Sequence, residues 1–182
     1  MRGILGTVAA IALTFGVVTM SSAETPGDKA LGQSTNVELA QLRSQLGEMI
    51  DRESIRQLAA SYAHFARVQN IDGLVALYSS DAVFDVPGNM GTQAGARSGQ
   101  EAIRETLTID LPRVDPWPFI HQHYIELIGP ESAKGFVYFE LRLGSEKLRV
   151  THVGFYTDEY VKERGLWKFR SRKLTAIPVP ET

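Results

Sequence analysis

The chain has 182 residues and a formal net charge of −2, with 19 basic and 21 acidic side chains spread along its length. That balance leaves no electrostatic footprint for nucleic acid or an anionic membrane surface. With no cysteine, the fold forms no disulfides, and thiol catalysis, cysteine-ligated zinc and iron–sulfur chemistry are excluded.

Residues 1–23 read as a signal peptide. Arg2 is the only cation, an apolar run extends from Ile4 to Met20, and Ser21-Ser22-Ala23 supplies the small residues at a cleavage point. The apolar run is at the short limit for a membrane span of roughly 20 residues. Cleavage after Ala23 leaves 159 residues with net charge −3, enough for one domain. The expected location is periplasmic or secreted in a bacterium, with no stable membrane anchor after cleavage. Residues 24–36, with Pro26, Gly27 and Gly32, read as a flexible linker. The domain then spans 37–182, with its core at 49–177.

Leu39, Leu42, Leu46, Ile50, Ile55, Leu58, Tyr62 and Phe65 recur at three- and four-residue steps, so one apolar helical stripe is expected. Asp51-Arg52-Glu53 marks a break or an exposed turn. A short helix is expected at 71–80 and a short strand at 81–87, stopped by Pro87-Gly88. A glycine-rich loop and a helix over 100–109 follow, the helix closed by Leu111-Pro112. The rest is strand: 119–128, 133–143, 147–161 and 166–177, joined by short glycine-bearing connections. In the last strand Trp167 and Phe169 are expected on one face, with Lys168, Arg170 and Arg172 on the other. Helices followed by an antiparallel meander make an α+β fold.

"FIHQHYIEL" (119–127) carries two of the four histidines. In an uninterrupted strand, residues i and i+2 share a face, roughly 6.5–7 Å apart. His121 and His123 are therefore two legs of a metal site, an acid/base pair, or the polar face of a strand. A metal would need further ligands. His152 and Glu140 are candidates, whereas Glu126 has the opposite parity to His123. An imidazole titrates near pH 6.5 and so exchanges protons at neutral pH. No G-x-S-x-G elbow is present, and "GNMGTQAG" (88–95) lacks a phosphate-loop lysine. Phe84, Trp117, Tyr138 and Phe155 are candidates to line an apolar cavity that Tyr62 and a histidine enter.

"MIDRESIRQLAASYAHFARVQNIDGLVALYSSDAVFDVPG" (49–88), "SGQEAIRETL" (98–107), "HQHYIELIGPESAKGFVYFELR" (121–142) and "ERGLWKFRSRKL" (163–174) come in order. Together they resemble SnoaL-like domains of the nuclear transport factor 2-like superfamily. The resemblance implies a cystatin-like cone: three to four N-terminal helices on a strongly curved antiparallel sheet enclosing one pocket. It also implies a small hydrophobic ligand, no metal or organic cofactor, and pairing of two copies through the outer face of the sheet. The Leu39-Leu42-Leu46 stripe is an alternative partner surface.

Dehydratases of that superfamily use a helix Tyr, an Asp about five residues later, and a His on the strand after the third helix. Carried over, the Tyr falls on Tyr62, the Asp position on Arg67 and the His position near Pro118 or Phe119. Asp72 matches the second-helix Asp. Two functions follow. One is cofactor-free proton transfer, as a lyase or isomerase on a small cyclic, polyketide- or steroid-like molecule. There Tyr62 is the hydrogen-bond donor, His121 or His123 the base and Arg67 the anion partner. The other is non-catalytic binding of a small apolar ligand.

Overall fold

A computed structural model describes residues 26–90, 94–143 and 148–180; the leader lies outside them. The chain divides into two units, residues 1–41 and 42–182. In the first, the described residues are helical from Pro26, so the segment read as a linker is the start of helix α1 (Pro26–Arg67). Proline at a first helical position loses no hydrogen bond, because that N–H has no intrahelical acceptor.

The second unit contains the remainder of α1, then α2 (Ile71–Ala76), β1 (Tyr78–Val86), a 3₁₀ turn (Gly88–Met90), β2 (Gly95–Ser98), α3 (Gln100–Val114) and four long strands. These are β3 (Trp117–Gly129), β4 (Ser132–Leu143), β5 (Arg149–Glu163) and β6 (Leu166–Pro178). The helical reading of 71–80 gives way after Ala76, because Tyr78, Ser79 and Ser80 join β1. Residues 95–98, read as loop, pair with β1 as an edge strand. Helix α3 runs one turn beyond expectation, with Pro112 inside its last turn and Asp115 closing it in the left-handed region.

No break occurs at 51–53. Asp51 is instead a docking point: its carboxylate accepts from Lys162 Nζ at 2.6 Å and Trp167 Nε1 at 2.9 Å. Arg52 donates to the Ile125 carbonyl. These polar contacts tie α1 to both ends of the meander.

The six strands lie in the order β2-β1-β6-β5-β4-β3, with β1 parallel to β6 and every other pair antiparallel. One face of the sheet is buried. Ile55, Leu58, Ala59 and Tyr62 of α1 and Ile103, Leu107 and Leu111 of α3 belong to one core with Val137, Phe139, Leu141, Tyr156, Tyr160, Phe169 and Leu174. The other face leaves Phe136, Tyr138 and Val153 exposed. This is the hydrophobic-in, polar-out economy of a one-sided antiparallel sheet, with an unusually apolar outside.

Two bulges change which side chains face the core. On β3, Ile120 pairs with Phe139 and His123 with Val137, so two residues of β3 oppose one of β4. On β6, Ser171 pairs with Glu159 and Phe169 with Tyr160, leaving Arg170 as the extra residue. Each insertion reverses the alternation beyond it. His121 and His123 therefore point to opposite faces. Arg172, expected on the wet face, turns inward and is fully buried.

Candidate functional site

A cavity of about 80 Å³ lies between α1, α3 and the inner face of the sheet. Tyr62 and Ala66 come from α1, and Thr106, Leu107, Asp110 and Leu111 from α3. Phe84, Phe139, Tyr156 and Leu174 form the sheet side, with Pro116 and Pro118 where β3 begins. The position where the superfamily's catalytic His was expected is thus apolar wall, at Pro118.

The charged residue of this lining is Asp110. It is 5% exposed, and neither carboxylate oxygen has a hydrogen-bond partner. Such groups are costly in a core and are found where function keeps them. Asp110 stands on the buried stripe of α3, which runs Ile103, Thr106, Leu107, Asp110, Leu111. Helical spacing makes it an acid where the pattern asks for leucine. The helix expected over 100–109 stops one residue short of it, and the longer α3 brings it onto the stripe. Thr106, one turn earlier, donates to the Ala102 carbonyl at 3.0 Å and accepts from Arg97 Nε at 3.1 Å.

Behind the cavity wall runs a buried polar chain. Arg172 Nε donates to Asp158 Oδ1 at 3.0 Å and Nη2 to Oδ2 at 3.1 Å. Tyr160 donates its hydroxyl proton to Asp158 Oδ2 at 2.8 Å, and His123 Nε2 lies 2.9 Å from the Tyr160 oxygen. Since that proton is committed to Asp158, His123 Nε2 carries its own proton and donates. Burial, then the charges of Arg172 and Arg56, push the His123 pKa down to about 4. His123 is therefore a neutral donor at physiological pH, locked in one tautomer.

The Arg172 guanidinium lies over the rings of Tyr62 (4.2 Å), Tyr156 (3.9 Å) and Phe169 (4.0 Å), and its Nη1 has no hydrogen-bond partner. Burial raises the Tyr62 and Tyr156 pKa values well above the ordinary range, although the Arg172 charge opposes the shift. Both hydroxyls therefore keep their protons and act as donors. Burial also raises the Asp158 carboxyl, against the pull of Arg172.

The remaining residues singled out in the sequence fall into separate places. Tyr62 and Phe84 line the cavity. His123 faces inward but outside the cavity lining, bound to Tyr160. Arg67 stacks on Trp117 at 3.9 Å and pairs with Asp115 at 2.8 Å, and neither Arg67 nor Trp117 belongs to the cavity lining. His121, Tyr138 and Phe155 lie together on the opposite face, along a shallow groove of about 330 Å³. His121 Nε2 is 3.6 Å from Glu140 Oε2, and Arg142 holds the same carboxylate. The β3 bulge separates the two histidines, whereas Tyr138 faces out by the ordinary alternation of β4 between buried Val137 and Phe139. Two imidazoles on opposite faces cannot bind one ion. Among the described residues, no group of three or more His, Asp or Glu could hold a metal ion, and no helix is long and apolar enough to cross a membrane.

Solved structures share this architecture. An NTF2-like protein with a cystatin-like fold from Novosphingobium aromaticivorans superposes with a TM-score of 0.65 at 19% identity, over 75% of this chain and 88% of its own. A candidate scytalone dehydratase from the same organism gives 0.62 at 19% identity, over 73% and 88%. A hexachlorocyclohexane dehydrochlorinase (LinA) of type 2 gives 0.62 at 15% identity, over 76% and 95%. At these identities the likeness is one of fold. No curated protein matches the chain in sequence. The family model described as SnoaL-like domain matches residues 47–173, well over half of the sequence, and the chain therefore belongs to the SnoaL-like domain family.

Proposed function

We propose that the chain is a small-molecule-binding member of its family, and that the cavity beneath α1 and α3 is the working site. One observation carries this reading: a concave, aromatic-walled space whose lining holds one buried charged group, Asp110, beside a few buried hydroxyls, which is the usual form of a ligand site. The volume limits the occupant. At about 80 Å³ it is roughly half of a 150 Å³ cavity that takes up benzene. A steroid-sized body does not fit, so only the head of a ligand, or a compact molecule, is enclosed. Export by the leader at 1–23 is part of the proposal; N-terminal sequencing of protein from its native compartment tests it, and a mature chain retaining Met1 would contradict it.

A second reading, cofactor-free proton transfer, is favoured by one specific feature. A carboxylate without partners in an apolar pocket is well placed as a general base, and Tyr62 or Tyr156 supplies a hydrogen bond to a developing oxyanion. The base in that reading is Asp110 rather than either histidine. Incubation with small cyclic ketones in D₂O separates the two. Deuterium incorporation that falls by about 10²-fold or more in Asp110→Asn establishes catalysis. Saturable ketone binding without exchange leaves the protein a binder.

A further inference from the structure

We propose that the cavity receives a small alkylammonium group whose N–H donors are taken by Asp110. The inference rests on the binding reading above and names the ligand class.

Three features of the cavity converge on a cation. The first is Asp110 itself. Both oxygens are buried without a partner, so burial costs this carboxylate its hydration with nothing in return. A ligand recovers that cost by bringing donors, and two free oxygens accept more than one N–H.

The second is what the lining lacks. No lysine or arginine side chain contributes to the cavity among the described residues. Two cations touch lining residues from outside the cavity. Arg172 is neutralised by Asp158 and lies over the rings of Tyr62 and Tyr156. Arg97 donates to Thr106 and is outside the lining. Within the lining itself the charged side chain is Asp110.

The third is the wall. Tyr62, Phe84, Phe139 and Tyr156 surround the space with rings. Aromatic faces attract cations and are the recurrent material of ammonium-binding cages; Arg172 already covers a face of Tyr62 and of Tyr156, so the attraction falls mainly to Phe84 and Phe139. A neutral alcohol of equal size gains the apolar contacts but neither the charge pairing nor the ring attraction. The volume sets the size, that of a branched alkyl group of about four carbons.

The test uses two isosteric probes, isobutylammonium and isobutanol, titrated at pH 7 into the purified chain and into Asp110→Asn and Asp110→Leu, with binding read from protein NMR shifts. The ammonium is expected to bind about tenfold more tightly than the alcohol. Asp110→Asn should bring the two within about twofold by weakening only the ammonium, and Asp110→Leu, which fills the head position, should abolish both. Equal affinities in the unmodified chain overturn the ammonium inference and leave the cavity as a neutral ligand site. A preference for ammonium that persists in Asp110→Asn overturns the assignment to Asp110. If neither probe shifts a cavity resonance at millimolar concentration, the binding reading fails as well.

Discussion

Asp158 and Arg172 face each other as direct register partners across β5 and β6, both fully buried and joined by two hydrogen bonds. A buried ion pair of this kind does little for net stability, but breaking it leaves an uncompensated charge. Asp158→Asn should therefore cost about 3–5 kcal/mol, whereas Asp158→Leu combined with Arg172→Met should cost far less. Urea denaturation of the single and double variants measures this. Equal losses would show that the two groups do not act as a pair.

Removing Asp110 should have the opposite sign. Asp110→Leu replaces an unsatisfied buried carboxylate with an apolar group beside empty space, and a gain of about 1–2 kcal/mol is expected. Stability gained at the expense of binding is the signature of a residue kept for function. A loss of stability would mean that the carboxylate finds partners in solution.

Protonation of His123 gives a pH dependence of known sign. Its folded pKa, about 4, lies below the ordinary 6.5. Between these values the unfolded chain binds a proton that the folded chain refuses, so stability falls as pH drops from about 6.5 toward 4 and the effect levels off below that. A melting series for the native chain and for His123→Phe over that window should show the steeper fall in the native chain. Parallel curves would assign the loss to other groups.

Gly154→Ala should disrupt the β5–β6 ladder. A Cβ at Gly154 would run into the Thr175 carbonyl oxygen and the backbone around it, and backbone cannot step aside as a side-chain tip can. Loss of cooperative unfolding, or of soluble expression, is expected. A variant within about 0.5 kcal/mol of the native chain would contradict the tight strand approach.

How much of this was legible in the sequence depended on whether a pattern stayed in phase. The four long strands lie within three residues of their predicted bounds at each end, because alternation and glycine turns are local signals. Tyr62 fell on the buried helix stripe and lines the cavity for the same reason. Errors began where a local rule was carried past an interruption. Counting in twos puts His121 and His123 on one shared face and Arg172 on the face of Lys168 and Arg170, and a bulge interrupts each count. A bulge is set by pairing with a neighbouring strand, and nothing in "FIHQH" or "KFRSR" announces it. Asp110 is a different case: it lies one residue past the expected end of its helix, so both its place on the stripe and its lack of partners required the fold.

The parallel pairing of β1 with β6 has a consequence for how the domain is made. The sixth strand is inserted in the middle of the sheet, between β1 and the other three long strands. A chain ending before Leu166 would hold β1 and β2 as one fragment and β3, β4 and β5 as another, with no strand ladder joining them among the described residues. Phe169, Arg172 and Leu174 would also be missing from the core. Assembly of this domain is all-or-nothing at its carboxyl end: an incomplete chain exposes two unpaired strand edges and an open apolar face, a form that cellular surveillance recognises and removes.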